Sequence, residues 1–243
     1  MTDINYLKLR EEIIATCLRM NALGINQGTS GNVSVRIENG LLITPSGIPY
    51  DAMQPEQIVE MDDDGGYVGD YLPSSEWRMH YDILRHRPEA GAVVHTHAAH
   101  CTALSCLRMK IPAFHYLIAV AGGTDIRCSD YATYGTQALS DAMLTALKDR
   151  RACLLGNHGM ICFGPNLEKA LSLAVEVENL ARQYWLARQI NPPAILPEEE
   201  MRIVLDRIKS YGKQTHELDP DAPPAFIPPP RRDAPQQASS EPS

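Results

Sequence analysis

Apolar positions near the start of the chain fall at helical spacing. Leu9, Ile13, Ile14, Cys17, Leu18 and Met20 line one side of a helix predicted over residues 4–22, which Gly24 ends. The period then changes. After the small polar stretch Gln27-Gly28-Thr29-Ser30-Gly31-Asn32, the residues Val33, Val35 and Ile37 alternate with polar ones. Asn39-Gly40 turns the chain into Leu41-Leu42-Ile43, which predicts a hairpin. A second hairpin is predicted around residues 63–66, joining 58–61 to 67–69. Pro73-Ser74-Ser75-Glu76 reads as the start of a helix running to about residue 86, with Ser74 or Ser75 as its N-cap. A buried strand follows over 91–97, then an amphipathic helix over 136–149. Two short strands, 152–155 and 160–163, meet at Gly156-Asn157-His158-Gly159. The longest helix spans 166–190, with Leu167, Leu171, Ala174, Val175, Val177 and Leu180 facing inward, and a short helix covers 197–211. Tight hairpins require antiparallel pairing. The expected fold class is therefore α/β of the α+β type: a layered αβα single domain with a mainly antiparallel central sheet flanked by helices.

Composition narrows the function classes. The 243 residues carry 22 Lys+Arg against 30 Asp+Glu, a net charge of −8. That balance argues against a nucleic-acid binder and against a polybasic membrane surface. No apolar stretch of about 18 residues suggests a membrane span. The opening MTDINYLKLREE lacks the apolar core of a signal peptide. Six cysteines form no CxxC pair, and several sit in apolar runs, so reduced core thiols in a cytoplasmic protein are expected. Residues 219–243 hold eight of the 18 prolines and little to bury. They are expected to form a disordered tail, which leaves a folded domain over 1–218.

Chemistry concentrates at a few places. His95-Thr96-His97 puts two imidazoles on one face of a strand, half of a zinc-type site; two partly exposed histidines at a strand end are the bland alternative. His158, in its glycine-flanked turn, is the best third ligand, though a plain turn residue would look the same. His80 and His86 lie on a predicted helix and look weaker. Glu76 is the acid/base candidate, since a helix start favours a carboxylate; an ordinary first-turn glutamate is the alternative. Thr29-Ser30-Gly31-Asn32, Thr44-Pro45-Ser46-Gly47 and Ser74-Ser75 could each cradle a phosphate with backbone N–H groups and hydroxyls. None matches a standard nucleotide loop, and the chain has no GxSxG nucleophile motif.

Taken together and in order, NQGTSGNVSVR from Asn26, LITPSGIPYD from Leu42, LPSSEWRMH from Leu72, AVVHTHAAHCTALS from Ala92, IPAFHY from Ile111, AGG from Ala121, YATYGT from Tyr131 and NHG from Asn157 resemble the class II aldolase/adducin family. The resemblance covers about residues 5–213. It implies that His95, His97, His158 and Glu76 hold one divalent metal per subunit, zinc first, with manganese, cobalt or iron(II) as alternatives. It implies Glu76 as catalytic acid/base, and Gly31, Asn32, Ser46, Gly47, Ser74 and Ser75 as phosphate-binding residues. Tyr116 and Tyr211 match tyrosines that serve the aldehyde end from an adjacent subunit, which implies a homotetramer with sites at subunit interfaces. The implied activity is cleavage of a deoxyketose 1-phosphate to dihydroxyacetone phosphate and an aldehyde. The sugar would be fuculose 1-phosphate or a 5-deoxy- or 5-methylthio-pentulose 1-phosphate. Alternatives within the family are a pentulose-phosphate 4-epimerase, a methylthioribulose-phosphate dehydratase, or a non-enzymatic adducin-head-like binding module. Two positions depart from the pattern: Ser46 stands where relatives often carry Thr, and Tyr134 where a Phe is expected.

Overall fold

The computed structural model describes residues 6–211; the expected domain end at 218 and the proline-rich tail lie outside them. In chain order the elements are α1 (Leu7–Ala22), β1 (Asn32–Ile37), β2 (Gly40–Ile43), β3 (Val59–Met61), β4 (Tyr67–Val68), α2 (Trp77–His86), β5 (Ala92–Thr96), α3 (Ala99–Cys106), α4 (Gln137–Ala146), β6 (Ala152–Leu155), β7 (Gly159–Gly164), α5 (Leu167–Ile190) and α6 (Glu198–Ile208). Two 3-10 turns, Pro55–Gln57 and Tyr116–Ala121, complete them. The seven strands form one sheet in the order β4-β3-β2-β1-β5-β7-β6, and every strand pair is antiparallel. The αβα expectation holds.

Each face of the sheet buries its own core. Val33, Val35, Ala92, Val94, Leu154, Met160 and Cys162 pack with α1, α3, α5 and α6 on one side. Leu41, Ile43, Val93, Cys153, Leu155, Ile161 and Phe163 pack with α2 and α4 on the other. The alternating residues of adjacent strands therefore serve two layers, as a sheet covered on both faces requires. The polar residues of β1 do not face solvent. Asn32 and Ser34 are buried under α2, and Arg36 donates to the carbonyls of Leu84, Arg87 and Ala90 at the end of that helix.

Some boundaries differ from expectation for visible reasons. The residue at the N-cap position of α2 is Glu76 rather than Ser74 or Ser75, and the Ser74 hydroxyl instead accepts the Glu76 N–H at 3.3 Å. Helix α3 was not predicted. Its N-terminus is capped from a distance by Glu178 of α5, whose carboxylate accepts the N–H groups of His100 and Cys101 at 3.0 and 2.9 Å. Cys17, Cys101, Cys153 and Cys162 are buried thiols, as expected of reduced core cysteines, and burial pushes each of them up. No helix among the described residues is long and apolar enough to cross a membrane.

Phe163 is 1% exposed at the centre of the α2/α4 layer, with the Arg87 guanidinium 4.6 Å above its ring. Phe163→Ala is expected to cost about 3–5 kcal/mol of unfolding free energy, read from denaturant titration.

Candidate metal centre

The edge of the site is set by strand register. Asn32 of β1 pairs with His95 of β5, and Met160 of β7 pairs with Thr96. His95 and Asn32 thus share the face covered by α2, and His97 follows two residues later at the end of β5. His158 arrives from the turn between β6 and β7. Asn157 holds φ +54 there, a conformation asparagine tolerates better than most residues. Arg108 Nε donates to Asn157 Oδ1 at 2.5 Å, and Ser105 accepts the N–H groups of Asn157 and His158 through its carbonyl and hydroxyl. Gly159 has to be glycine: a Cβ would meet the Thr96 carbonyl oxygen at 2.5 Å and the His97 ring at 3.0 Å. The result is a triangle of imidazoles with ring centroids 5.0, 4.8 and 4.9 Å apart.

Glu76 enters this triangle from the start of α2. Its carboxylate oxygens lie 3.2 Å from His95 Nε2 and 3.0 Å from His158 Nε2, and the four ligand atoms of Glu76, His95, His97 and His158 all lie within 4.8 Å of one another. The hydrogen bonding around them is incomplete. His95 Nδ1 is 2.8 Å from the Met160 carbonyl, which only accepts, so Nδ1 carries a proton and Nε2 is the atom turned toward Glu76. Glu76 Oε1, His95 Nε2 and His97 Nε2 are buried without a hydrogen-bond partner. A proton could satisfy one such pair; several acceptor atoms converging on one point call for a cation. Three imidazole nitrogens and a carboxylate oxygen are a donor set that suits zinc or a related divalent ion. Burial alone would raise the Glu76 carboxyl, but the neighbouring His95 and His158 outweigh it and hold the group well below the usual carboxylate range. Burial, reinforced by His95 and His158, lowers His97 to about 4, so its ring is a neutral ligand at pH 7.

Behind Glu76 runs a second row of polar side chains. Asn32 Nδ2 donates to Glu76 Oε2 at 2.9 Å, His80 Nε2 lies 2.5 Å from Asn32 Oδ1, and Ser34 Oγ lies 2.8 Å from His80 Nδ1. Sequence reasoning passed over His80 and Ser34. One signal was available for His80: it stands four residues after Glu76, one helical turn along the same face.

The three small-residue loops come together. Ser74 N–H donates to the Thr44 carbonyl and Ser46 N–H to the Leu72 carbonyl, both at 3.0 Å, which zips the second loop to the third. Thr44 N–H donates to the Val33 carbonyl, and the Thr44 hydroxyl accepts the Val33 N–H, which ties both to the first. Gly31 packs so closely that a Cβ would lie 2.6 Å from the His95 carbonyl oxygen. Ser46, Gly47 and Ser75 are exposed, while Gly31, Asn32 and Ser74 are buried. The Asn32 side chain is spent on Glu76 and His80 rather than left open to a ligand. Both tyrosines have exposed side chains. Tyr116 is half-exposed and stacks on His115 at 4.8 Å. Tyr211 is exposed and lines a cavity with Phe163, Gly164 and Lys169, at the end of β7 opposite His158. Gly159 and Gly164 are five strand steps apart, about 17 Å.

The Class II Aldolase and Adducin N-terminal domain family matches residues 11–185. The L-fuculose phosphate aldolase of Escherichia coli K12 is 52% identical over 211 residues, 86% of this chain and 98% of that protein. The 5-methylthioribulose-1-phosphate/5-deoxyribulose-1-phosphate aldolase of Rhodospirillum rubrum is 51% identical over 216 residues, 89% of this chain and 98% of that one. Among solved structures, an L-fuculose 1-phosphate aldolase superposes with a TM-score of 0.81 at 40% identity, covering 83% of this chain and 96% of its own.

Two outcomes follow from this geometry. His97→Ala is expected to lower zinc occupancy of the purified chain below one per subunit, read by elemental analysis after dialysis. The second concerns acid. Burial, together with the nearby His95, holds His80 at about 3 against an ordinary 6.5. The unfolded chain then binds one more proton between those two values, so stability is lost as pH falls from 6.5 toward 3. Denaturant titrations of His80→Gln are expected to show a shallower loss of stability across that window than the unaltered chain.

Proposed function

This chain belongs to the class II aldolase and adducin N-terminal domain family, and on that premise we propose that it is a metal-dependent aldolase acting on a deoxyketose 1-phosphate. The products are dihydroxyacetone phosphate and an aldehyde. The observation that carries the reading is the convergence of His95, His97, His158 and Glu76 with buried acceptor atoms left unpaired. A binding module of the same fold has no need of such a cluster. The relatives named as aldolases for L-fuculose phosphate and for 5-methylthioribulose or 5-deoxyribulose 1-phosphate support a substrate from that group.

The three imidazoles and Glu76 would hold the ion, zinc in this reading. When bound there, it supplies Lewis acidity at the ketose carbonyl, where enediolate charge develops. The phosphate is held by the joined loops: the hydroxyls of Ser46, Ser74 and Ser75 and the N–H groups of Gly31, Gly47 and Ser75, close to the N-terminus of α2. Asn32 sits at the junction of that cradle with Glu76. Binding at the non-reacting phosphate fixes the sugar carbons against the cluster, which turns binding energy into positioning. On cleavage, the electron pair of the C3–C4 bond passes to C3 and the C4 hydroxyl gives up its proton. Tyr116 relays that proton to solvent at the aldehyde end. Glu76, ionised at rest, takes one up from solvent in exchange and delivers it to C3, so the net change moves one proton from the C4 hydroxyl to C3; the reverse reaction removes it there. The distance of Tyr211 from its own cluster supports assembly: a tyrosine at the far end of β7 serves a site only across a subunit boundary. A homotetramer with sites between subunits accommodates both tyrosines.

The test is a coupled assay for dihydroxyacetone phosphate. Zinc-loaded protein is given fuculose 1-phosphate, 5-deoxyribulose 1-phosphate and 5-methylthioribulose 1-phosphate in turn. Release is expected from at least one and is abolished in His95→Ala; Glu76→Gln is expected to lose about 10²-fold or more in kcat. Zinc-loaded protein that releases nothing from any of the three overturns the aldolase reading in favour of an epimerase or dehydratase. No release, together with failure to bind zinc, manganese, cobalt or iron(II), leaves only the binding module.

A further inference from the structure

The aldolase mechanism gives His80 and Ser34 nothing to do, yet both are fully buried and hydrogen-bonded toward the site. We propose that His80 is a positioning residue: held by Ser34, it fixes the side-chain amide of Asn32, which in turn fixes the carboxylate of Glu76. The proposal rests on the aldolase reading for its kinetic consequence and on geometry alone for the relay.

The polarity of the row is forced from the carboxylate end. An ionised carboxylate accepts hydrogen bonds and donates none, so the Asn32 atom 2.9 Å from Glu76 Oε2 is Nδ2. Oδ1 of the same amide then faces His80. The imidazole atom 2.5 Å away, Nε2, must carry a proton to donate to it. His80 is a neutral ring, so Nδ1 is bare and accepts the Ser34 hydroxyl at 2.8 Å. Protons run in one direction, from Ser34 to His80 to Asn32 to Glu76. Ser34 and His80 have no exposed surface and Asn32 only 4%, so water does not replace any member. The row occupies Oε2 and leaves Oε1, turned toward His158 Nε2 at 3.0 Å, on the side where the imidazoles converge.

The role of His80 follows from the symmetry of an amide. Rotating the Asn32 amide by half a turn exchanges Oδ1 and Nδ2 and sets an oxygen against the carboxylate. The carboxylate itself opposes that rotation, and a donor on the far side, His80 Nε2–H, opposes it a second time and holds the amide when the carboxylate shifts. His80 and Glu76 lie one turn apart on α2, so the helix that delivers the carboxylate also delivers the group that orients its partner. A merely space-filling role would suit an apolar side chain, such as Met79 or Ile83 beside it.

The experiment uses the full chain and separates the two ring nitrogens. In ¹⁵N–¹H correlation spectra of the zinc-loaded protein, His80 is expected as the Nε2–H tautomer; an Nδ1–H tautomer overturns the proposal. Two variants then test the consequence. In His80→Gln the amide nitrogen can reach the position of Nε2 and donate to Asn32. In His80→Asn the shorter side chain reaches only the position of Nδ1 and can serve Ser34 alone. His80→Asn is expected to weaken zinc affinity, measured by competition with a chromophoric chelator, or to lower kcat, by about 10–100-fold. KM for the sugar phosphate should stay unchanged, because the phosphate cradle is untouched. His80→Gln is expected to restore most of the loss. Equal behaviour of the two variants, whether both silent or both impaired, overturns the proposal. If the unaltered protein releases no dihydroxyacetone phosphate, the aldolase reading fails on its own, and the tautomer and zinc affinities still decide the relay.

Discussion

Glu76 is a carboxylate removed from water at the point where a helix meets the end of a sheet. Its residue is 6% exposed. Taking such an anion out of solvent costs several kcal/mol unless charge and hydrogen bonds replace the hydration it loses. Much of the local structure answers that demand. One oxygen receives the Asn32 amide, and the cluster of His95, His97 and His158 surrounds the rest. The same low dielectric that makes the carboxylate costly strengthens every interaction made with it. A site that binds a cation firmly and one that tolerates an ionised glutamate are here the same arrangement.

The sheet supplies the rigidity this needs. Asn32 and His95 are cross-strand partners, so their separation is fixed by the ladder rather than by loop conformation. Residues placed on strands hold a binding geometry more tightly than residues placed on loops. His97 stands one residue past the end of β5, and His158 lies in a turn. That turn is correspondingly braced, by Ser105 of α3, by Arg108 and by the contact of Gly159 with the end of β5. The small-residue loops are joined to one another by main-chain bonds and keep Ser46, Gly47 and Ser75 open to solvent.

Local signals carried most of the element map. The Asn39-Gly40 turn marks the first hairpin, and the Asn166 side chain caps α5 by accepting the Lys169 N–H at 2.9 Å, so both were legible from neighbours in sequence. Helix α3 was not. It begins after Ala98, which offers no capping side chain, and its cap comes from Glu178, 78 residues beyond His100. No window of sequence contains that bond. The start of α2 misled for a related reason: serines that look like caps serve the loop junction, while the glutamate behind them turns inward.

The candidate site divides along the same line. His95 and His97 could be paired from sequence because a strand has a period of two, and alternation alone puts both rings on one side. The identity of Glu76, the three small-residue loops and the third histidine were legible as residue types whose chemistry was suggestive one by one. Their convergence was not, because it depends on antiparallel register across β1, β5 and β7 and on the turn that carries His158. The buried polar face of β1 was hidden for a further reason. Asn32, Ser34 and Arg36 alternate with valines as a solvent-facing stripe does, and only the helix packed over them converts that stripe into the interior row from Ser34 to Glu76. Sequence determined which side chains share a face, since that is a property of the backbone period. Tertiary structure decided which face is buried and what meets it there, since that depends on contacts between segments far apart in the chain.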